Sequence, residues 1–163
     1  MRLLADRIAE RETTLLLLDV DFFKQANTNL EHVGGDQVLA QLADVVQSIS
    51  REHDMTCRWG GEEFVILMPA TGQDEGVVIA ERIREAFGTS SVEIEDPAGG
   101  RPRVINKQRQ MGAGFTVSIG VAVSPKHGVE LSELKQRADL ALEWAKRNGR
   151  NRVGVASDGG RRR

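Results

Sequence analysis

The sequence predicts an α+β fold, with one sheet covered by helices, and three patterns carry this prediction. Apolar runs of strand length alternate with longer segments in which apolar residues recur every three or four positions. Gly60 and Gly61 separate two of the strand-like runs, and a glycine pair allows the tight turn of a β-hairpin. In chain order the predicted elements are βααββαβαβ, with one small satellite hairpin.

The first strand and the two helices after it are predicted from local pattern. The run from Thr13 to Asp21 is apolar until its end and short enough for a buried strand. Residues 22–29 are predicted to form a short helix. Gly34 and Gly35 are predicted to separate it from a second helix, because apolar residues then recur at helical spacing. That apolar stripe consists of Val38, Leu42, Val45 and Ile49.

The middle of the chain predicts a hairpin, a helix and an insert. Strands are expected over residues 55–59 and 62–68, and a helix follows whose inner face recurs every four residues. This face consists of Ile79, Ile83 and Phe87. Residues 89–113 are the least regular segment and predict a solvated surface insert with a satellite hairpin between 92–94 and 103–105.

The last elements are a strand over residues 115–123, a helix over 132–148 and a short strand over 152–155. Gly149 is predicted to cap the helix, since glycine readily adopts the conformation that ends a helix.

Composition indicates one domain. The chain has 163 residues, of which 40% are hydrophobic, enough for a single core. Residues 13–156 are assigned to this domain, residues 1–12 to the end of an N-terminal linker helix, and residues 157–163 to a disordered tail.

Charge and cysteine content exclude several classes of protein. A net charge of −2 gives no general attraction to nucleic acid. No apolar stretch approaches the roughly 20 residues of a membrane-spanning helix, so no membrane contact is expected of this segment. Cys57 is the only cysteine, which excludes an intramolecular disulfide and suits a reducing cytoplasm. We expect Cys57 to be a small core residue in the strand before the hairpin.

Four carboxylates are the candidate reactive groups. Period-2 geometry places Asp19 and Asp21 on one face at the exit of the first strand. Glu62 and Glu63 directly follow the glycine turn. Acidic residues are depleted in strands, so sheet formation does not explain their presence at this place. An oxygen-rich site of this kind suits Mg²⁺. The alternatives are a merely acidic turn and helix capping; we assign capping to Asp21, next to the predicted helix, and metal binding to Asp19.

Several separated motifs occur together in this chain. They are Leu18-Asp19-Val20-Asp21-Phe22-Phe23-Lys24, Gly60-Gly61-Glu62-Glu63-Phe64, Val117-Ser118-Ile119-Gly120-Val121 and Ala145-Lys146-Arg147-Asn148-Gly149-Arg150-Asn151-Arg152. In these motifs the chain resembles the GGDEF domain family of diguanylate cyclases, in a variant with the signature Gly-Gly-Glu-Glu-Phe. The resemblance covers nearly all of residues 13–153. It implies a palm-like, ferredoxin-related sheet shared with nucleotidyl cyclases and polymerases.

The resemblance implies a reaction and its metal site. Two GTP molecules would condense to cyclic di-GMP and pyrophosphate across a homodimer, with two Mg²⁺ ions per active site and Mn²⁺ as an alternative. Asp19, the Val20 carbonyl, Glu62 and Glu63 would bind metal. Glu62 and Glu63 would also be catalytic, with Glu62 at the position credited with activating the 3′-hydroxyl. The division of roles between the two glutamates stays open.

The resemblance also implies phosphate-binding residues. The backbone amides of Phe22, Phe23 and Lys24, with the lysine side chain, would bind the triphosphate at a helix N-terminus. Lys146 and Arg150 lie four positions apart and are predicted to share one helix face, where they would clamp the outer phosphates. The alternative for both is ordinary surface charge near a helix end.

Guanine recognition is assigned by resemblance to Asn27 and Asp36. The alternative for Asp36 is a helix N-cap behind the glycine pair. Thr28 and Glu31 depart from the family pattern nearby, which bears on base affinity.

A second ligand site is implied by Arg51-x-x-Asp54 before the hairpin, with Arg82 as a secondary arginine. In the family this arrangement binds cyclic di-GMP and inhibits the enzyme. The alternative is a simple salt bridge between Arg51 and Asp54.

Two other functions compete with the cyclase. One is a degenerate domain that senses cyclic di-GMP or GTP without turnover. The other is nucleic-acid polymerisation, which lacks support because the chain has no aromatic and basic stacking stripe. By resemblance we also expect an N-terminal sensory domain in the full-length protein.

Overall fold

A computed structural model describes residues 12–24, 31–94, 103–105 and 115–158. Its strands are β1 (Thr13–Val20), β2 (Met55–Gly60), β3 (Glu63–Pro69), β4 (Val92–Ile94), β5 (Arg103–Ile105), β6 (Val117–Ser124) and β7 (Val153–Val155). Its helices are α1 (Glu31–Ile49), α2 (Gln73–Thr89) and α3 (Leu131–Arg147).

Five of the strands form one sheet in the order β2-β3-β1-β6-β7. The central strand β1 pairs antiparallel with β3 and β6, and β2 pairs antiparallel with β3 at one edge. At the other edge β7 runs parallel to β6. The remaining two strands, β4 and β5, form the separate hairpin that the sequence predicted. The predicted α+β class is therefore confirmed.

Helices cover both faces of the sheet, which explains why every residue of β1 is buried. Leu16 and Leu18 belong to a core shared with α1 and α2, whereas Leu15 and Leu17 belong to a second core shared with α3. The predicted inner face of α2 is correct, since its three apolar residues all lie in the first core. The alternation along β1 thus divides one strand between two cores.

Helix α3 lies directly against the sheet at two glycines. A Cβ atom added at Gly120 would lie 2.0 Å from the carbonyl oxygen of Ala138, and one at Gly154 would lie 2.2 Å from that of Ala141. No side chain fits either gap, so both positions require glycine. This close packing fixes the last turn of α3 beside the carboxyl end of β1.

Two features of α1 differ from the prediction. The helix begins at Glu31, so Gly34 and Gly35 lie inside it instead of separating two helices. Asp36 is consequently an exposed residue of the helix interior, and the alternative of an N-cap at Asp36 is wrong. Of the predicted short helix over residues 22–29, Phe23 and Lys24 are helical, Phe22 lies in a turn with a positive φ, and residues 25–29 lie outside the described residues.

Strand β2 also differs from the prediction. It lies at the sheet edge and all six of its residues are exposed, including Cys57. The expectation that Cys57 is a core residue is wrong, because apolar pattern alone does not show which strand lacks a second neighbour. The predicted linker helix lies outside the described residues up to residue 11, as does the predicted tail beyond residue 158.

Within the residues that the structure describes, no helix combines the length and the apolar character needed to cross a membrane.

Candidate active site

The four candidate carboxylates lie around the carboxyl end of β1. In the register of the sheet, Asp19 lies opposite Glu63 of β3 and opposite Ser118 of β6. Residues directly opposite in an antiparallel pair point to the same face, with Cβ atoms about 4.5–5.5 Å apart. Asp19 and Glu63 are therefore neighbours on one face of the sheet, although they are 44 positions apart in the sequence.

The hairpin turn is shifted by one residue from its predicted place. Strand β2 ends at Gly60 and β3 begins at Glu63, so Gly61 and Glu62 form the turn, and the register shifts between Arg58 and Gly60. Gly61 has a φ of +54°, which favours glycine, whereas Gly60 needs no such conformation. The guanidinium of Arg58 donates a hydrogen bond to the Gly61 carbonyl at 2.8 Å. This contact fixes the turn, and Glu62 lies at its tip.

Asp19 is a buried carboxylate that is paired with a cation. Its side chain is nearly buried, and its Oδ2 atom lies 2.9 Å from the Lys146 ammonium at the end of α3. Burial raises the pKa of Asp19 above its ordinary value; Lys146 opposes this, and the charges of Glu62 and Glu63 add to it. The negative charges of Glu62 and Glu63 beside Asp19 make a site where added positive charge is stabilising.

The donor set fits a hard divalent cation. Asp19, Glu62, Glu63 and the Val20 carbonyl offer only oxygen atoms, the ligands that Mg²⁺ prefers. Among the described residues, no three acidic, histidine or cysteine side chains form a ready-made metal cage. Lys146 pairs with Asp19, so its ammonium supplies part of the positive charge that balances the carboxylates.

Asp21 has a different role from the predicted helix cap. Its carboxylate accepts hydrogen bonds from the Ser118 hydroxyl at 2.6 Å, from the Thr116 hydroxyl at 2.7 Å and from the Asn151 backbone N–H at 3.0 Å. Sequence reasoning missed these partners, because they lie on β6, directly before it and in the turn after α3. The available signal was the spacing of Thr116 and Ser118, two positions apart in the predicted strand over residues 115–123.

The predicted phosphate-binding residues converge at the same end of β1. Phe22 follows Asp21 with a φ of +58°, and the Arg150 guanidinium lies 4.3 Å from the centre of its ring. Lys146 approaches from α3 through its contact with Asp19. Arg150 lies beyond the end of α3, so the expectation that it shares a helix face with Lys146 is wrong. The turn after the helix, and not the helix itself, brings Arg150 to the site.

A groove next to the hairpin accommodates the predicted base-binding residue Asp36. It has a volume of about 540 Å³ and lies between α1 and β2. Its lining includes Asp36, Ala40, Thr56, Arg58 and Phe64. Asn27, the other predicted guanine contact, lies outside the described residues.

The predicted product-binding residues lie away from the carboxylates. The Arg51 backbone N–H donates to Asp54 Oδ2 at 2.8 Å, but the Arg51 guanidinium pairs with Glu75 of α2. The alternative of a side-chain salt bridge between Arg51 and Asp54 is therefore wrong. Arg82 is exposed two helical turns after Glu75, about 10 Å along α2 on the same face.

Comparisons with known proteins identify the family. Residues 2–152 match the family described as "Diguanylate cyclase, GGDEF domain". The chain belongs to the GGDEF domain family. Diguanylate cyclase DgcM of Escherichia coli K12 is 41% identical over 143 residues, which cover 88% of this chain and 30% of DgcM. The response regulator PleD of Caulobacter vibrioides is 39% identical over 138 residues, 85% of this chain and 28% of PleD.

Solved GGDEF domains share the fold. The active GGEEF domain of a diguanylate cyclase from Vibrio cholerae has a TM-score of 0.76 at 28% identity, covering 97% of this chain and 90% of that one. The GGDEF domain of DgcB from Caulobacter crescentus, solved in complex with c-di-GMP, has a TM-score of 0.72 at 30% identity, covering 88% and 77%. The chain spans about 30% of the length of DgcM and PleD.

Proposed function

We propose that this GGDEF domain is a diguanylate cyclase domain that condenses two GTP molecules into cyclic di-GMP and pyrophosphate. The observation that carries the proposal is the pairing of Asp19 with Glu63 across the sheet, beside Glu62 and Lys146. This arrangement gathers negative oxygen ligands and a cation at the end of one strand. Phosphoryl transfer needs both, because the triphosphate and the reacting oxygen each carry charge.

The metal ligands in this proposal are Asp19, the Val20 carbonyl, Glu62 and Glu63, holding two Mg²⁺ ions or, alternatively, Mn²⁺. When bound, such ions lower the pKa of the attacking 3′-hydroxyl and neutralise phosphate charge. Glu62, at the tip of the hairpin, accepts the hydroxyl proton. Glu63 is held in the strand opposite Asp19, so its place is fixed more rigidly than that of Glu62.

The substrate groups follow from what each residue offers. The amides of Phe22, Phe23 and Lys24 donate to the triphosphate, and Lys146 and Arg150 contact its outer phosphates. Asp36 accepts hydrogen bonds from the guanine edge in the groove between α1 and β2, and Asn27 completes the recognition of the base. The groove volume of about 540 Å³ suits a purine base.

Each domain binds one GTP in this proposal, so a homodimer is needed to join two of them. Cyclic di-GMP then inhibits the enzyme by binding Arg51, Asp54 and Arg82, away from the carboxylates. The cyclase works in the cytoplasm, and an N-terminal sensory domain controls its dimerisation. The multidomain length of the curated relatives supports that last element.

A second candidate is a domain that senses GTP or cyclic di-GMP without turnover. It is favoured by the ion pair between the Lys146 ammonium and Asp19, which engages a carboxylate that a metal ion would need. Among the described residues, no three acidic, histidine or cysteine side chains are grouped closely enough to hold a metal ion. A sensor of this kind would bind nucleotide but would leave it intact.

The deciding experiment is incubation of the protein with GTP and Mg²⁺, with cyclic di-GMP measured by chromatography. Product should form with GTP and not with ATP, and the rate per molecule should rise with protein concentration. A version joined to a dimerising coiled coil removes the need for high concentration. If that version binds GTP and forms no product, the sensor replaces the cyclase.

A further inference from the structure

The buried carboxylate of Asp21 has no role in the reaction proposed above. Asp21 is only 4% exposed and lies one residue beyond β1, two positions from Asp19. Its two oxygens accept three hydrogen bonds, from Thr116, Ser118 and the backbone of Asn151. The Asp21 backbone N–H also donates to the Thr116 carbonyl at 2.8 Å. Asp21 is therefore bonded to the start of β6 and the residue before it, through both its backbone and its side chain.

The backbone around Asp21 is strained. Phe22, Arg150 and Asn151 have φ values of +58°, +60° and +46°, in the left-handed region that residues other than glycine rarely adopt. Such conformations persist where the surrounding structure holds them, and they concentrate at functional sites. Of these, Phe22 directly follows Asp21, Asn151 donates to the Asp21 carboxylate, and Arg150 directly precedes Asn151.

Asn151 is held from a second side. Its side-chain oxygen accepts a hydrogen bond from Arg84 of α2 at 3.0 Å, while its backbone N–H donates to Asp21. Arg84 is itself paired with Glu81 at 2.6 Å. The turn after α3 is thus fixed between α2 and the end of β1. This turn carries Arg150, whose guanidinium lies over the Phe22 ring.

We propose that Asp21 is a positioning residue that joins the turn carrying Arg150 to the loop of Phe22, and that it is not a metal ligand. Through Asn151 it fixes Arg150 and the amides after β1 relative to Asp19. This inference rests on the proposed function, since Arg150 and those amides are the groups assigned to the triphosphate. Displacing positioned groups by about 1 Å costs on the order of 100-fold in rate.

Asparagine and alanine at position 21 separate the two roles. In Asp21→Asn the oxygen still accepts from Thr116 and Asn151, and the amide nitrogen donates to Ser118, because a hydroxyl can also accept. A positioning role therefore predicts that kcat/KM stays within about fivefold in Asp21→Asn and falls about 100-fold in Asp21→Ala. The matched control Asp19→Asn should lose activity, since a neutral amide replaces a metal-binding carboxylate. Equal losses in Asp21→Asn and Asp19→Asn would overturn the proposal.

A binding measurement separates this inference from the function itself. A GTP analogue with a methylene group between the α- and β-phosphates, titrated by calorimetry with Mg²⁺, should bind about tenfold or more weakly to Asp21→Ala, while guanosine affinity is unchanged. A wild type that binds the analogue but makes no product contradicts the cyclase and leaves this comparison valid. If Asp21→Ala fails to fold, Thr116→Val removes one of the three bonds and should weaken analogue binding in the same direction. Unchanged analogue affinity in the folded variant, or a wild type that binds no analogue, overturns the inference.

Discussion

The ammonium of Lys146 lies 2.9 Å from Asp19 Oδ2 and joins the last turn of α3 to the end of the central strand. The two residues are 127 positions apart in the sequence, and the close contacts of α3 with Gly120 and Gly154 bring them together. Asp19 also faces the charges of Glu62 and Glu63. Lys146 therefore stabilises a carboxylate cluster that would otherwise repel itself, and it competes with any metal ion for Asp19.

We expect Lys146→Met to increase the stabilisation of the protein by Mg²⁺. Without metal, the variant should lose about 1–2 kcal/mol of unfolding free energy, less than a fully buried pair because both side chains keep some solvent contact. Added Mg²⁺ should then raise the melting temperature more than in the wild type, since bound ligand stabilises the folded state. Differential scanning fluorimetry without nucleotide measures both effects.

The control for this prediction is Arg147→Met, one residue along α3. Arg147 is 80% exposed and pairs with Glu143, away from Asp19. The Arg147→Met substitution should leave the stabilisation by Mg²⁺ unchanged. Identical Mg²⁺ responses in the Lys146 variant and the wild type would contradict competition at Asp19.

Asp19 and Glu62 should each be required for turnover. Asp19→Ala and Glu62→Gln should each lower kcat by 100-fold or more while the far-ultraviolet circular dichroism spectrum stays unchanged, because a metal-binding or proton-accepting carboxylate is lost. Glu143→Gln, at a partly exposed acid on α3 that pairs with Arg147, serves as the control. Substantial activity in Glu62→Gln would transfer the proton-accepting role to Glu63.

The sequence predicted most of the fold because the strongest signals are local. The apolar run of β1 and the apolar residues that recur every four positions in α2 each predict a buried surface, and both are buried. The turn was placed one residue early, since the irregularity between Arg58 and Gly60 depends on how β2 pairs with β3. Cys57 was misplaced for a related reason: a strand's position at the sheet edge follows from the pairing of all the strands.

The site was predictable only as separate motifs. Period-2 geometry placed Asp19 and Asp21 on one face, but the alignment of Glu63 with Asp19 is a property of long-range register. The partners of Asp21 come from β6, from the residue before it and from the turn after α3, 95 to 130 positions away. Likewise, the spacing of Arg51 and Asp54 suggested a mutual ion pair, whereas the packing of α2 against α1 supplies Glu75 as the partner of Arg51.

Stability should fall below neutral pH through His127. The side chain is buried and its Nδ1 atom accepts the Val123 N–H at 2.9 Å, a bond that the protonated ring cannot accept. Burial, with the nearby charge of Lys126, lowers the pKa of His127 below its ordinary value, although Asp158 opposes this. The folded state therefore binds a proton less readily than the unfolded chain. The contribution of neutral His127 is complete above about pH 6.5 and is lost as the pH falls through the folded-state pKa.

Urea unfolding at a series of pH values between 7.5 and 5 measures this effect. One group changes the unfolding free energy by at most about 1.4 kcal/mol per pH unit. His127→Asn keeps an acceptor for Val123 but does not titrate, so its stability should depend less on pH than that of the wild type. His53→Gln, at an exposed histidine, is the matched control. Parallel pH profiles for the wild type and His127→Asn would contradict the assignment.

Glu75 should weaken the binding of cyclic di-GMP at the proposed product site. Its carboxylate holds the Arg51 guanidinium, which must turn to the guanine edge for paired hydrogen bonds to form. Arg51→Ala should therefore lose affinity and inhibition while catalysis is retained. Glu75→Gln keeps the arginine and removes the competing charge, so cyclic di-GMP should bind more tightly than to the wild type, by about two- to fivefold for an exposed ion pair. Glu85→Gln, another exposed acid on α2, should change nothing. Calorimetric titration gives all four affinities, and equal values for the wild type and Arg51→Ala would remove Arg51 from the site.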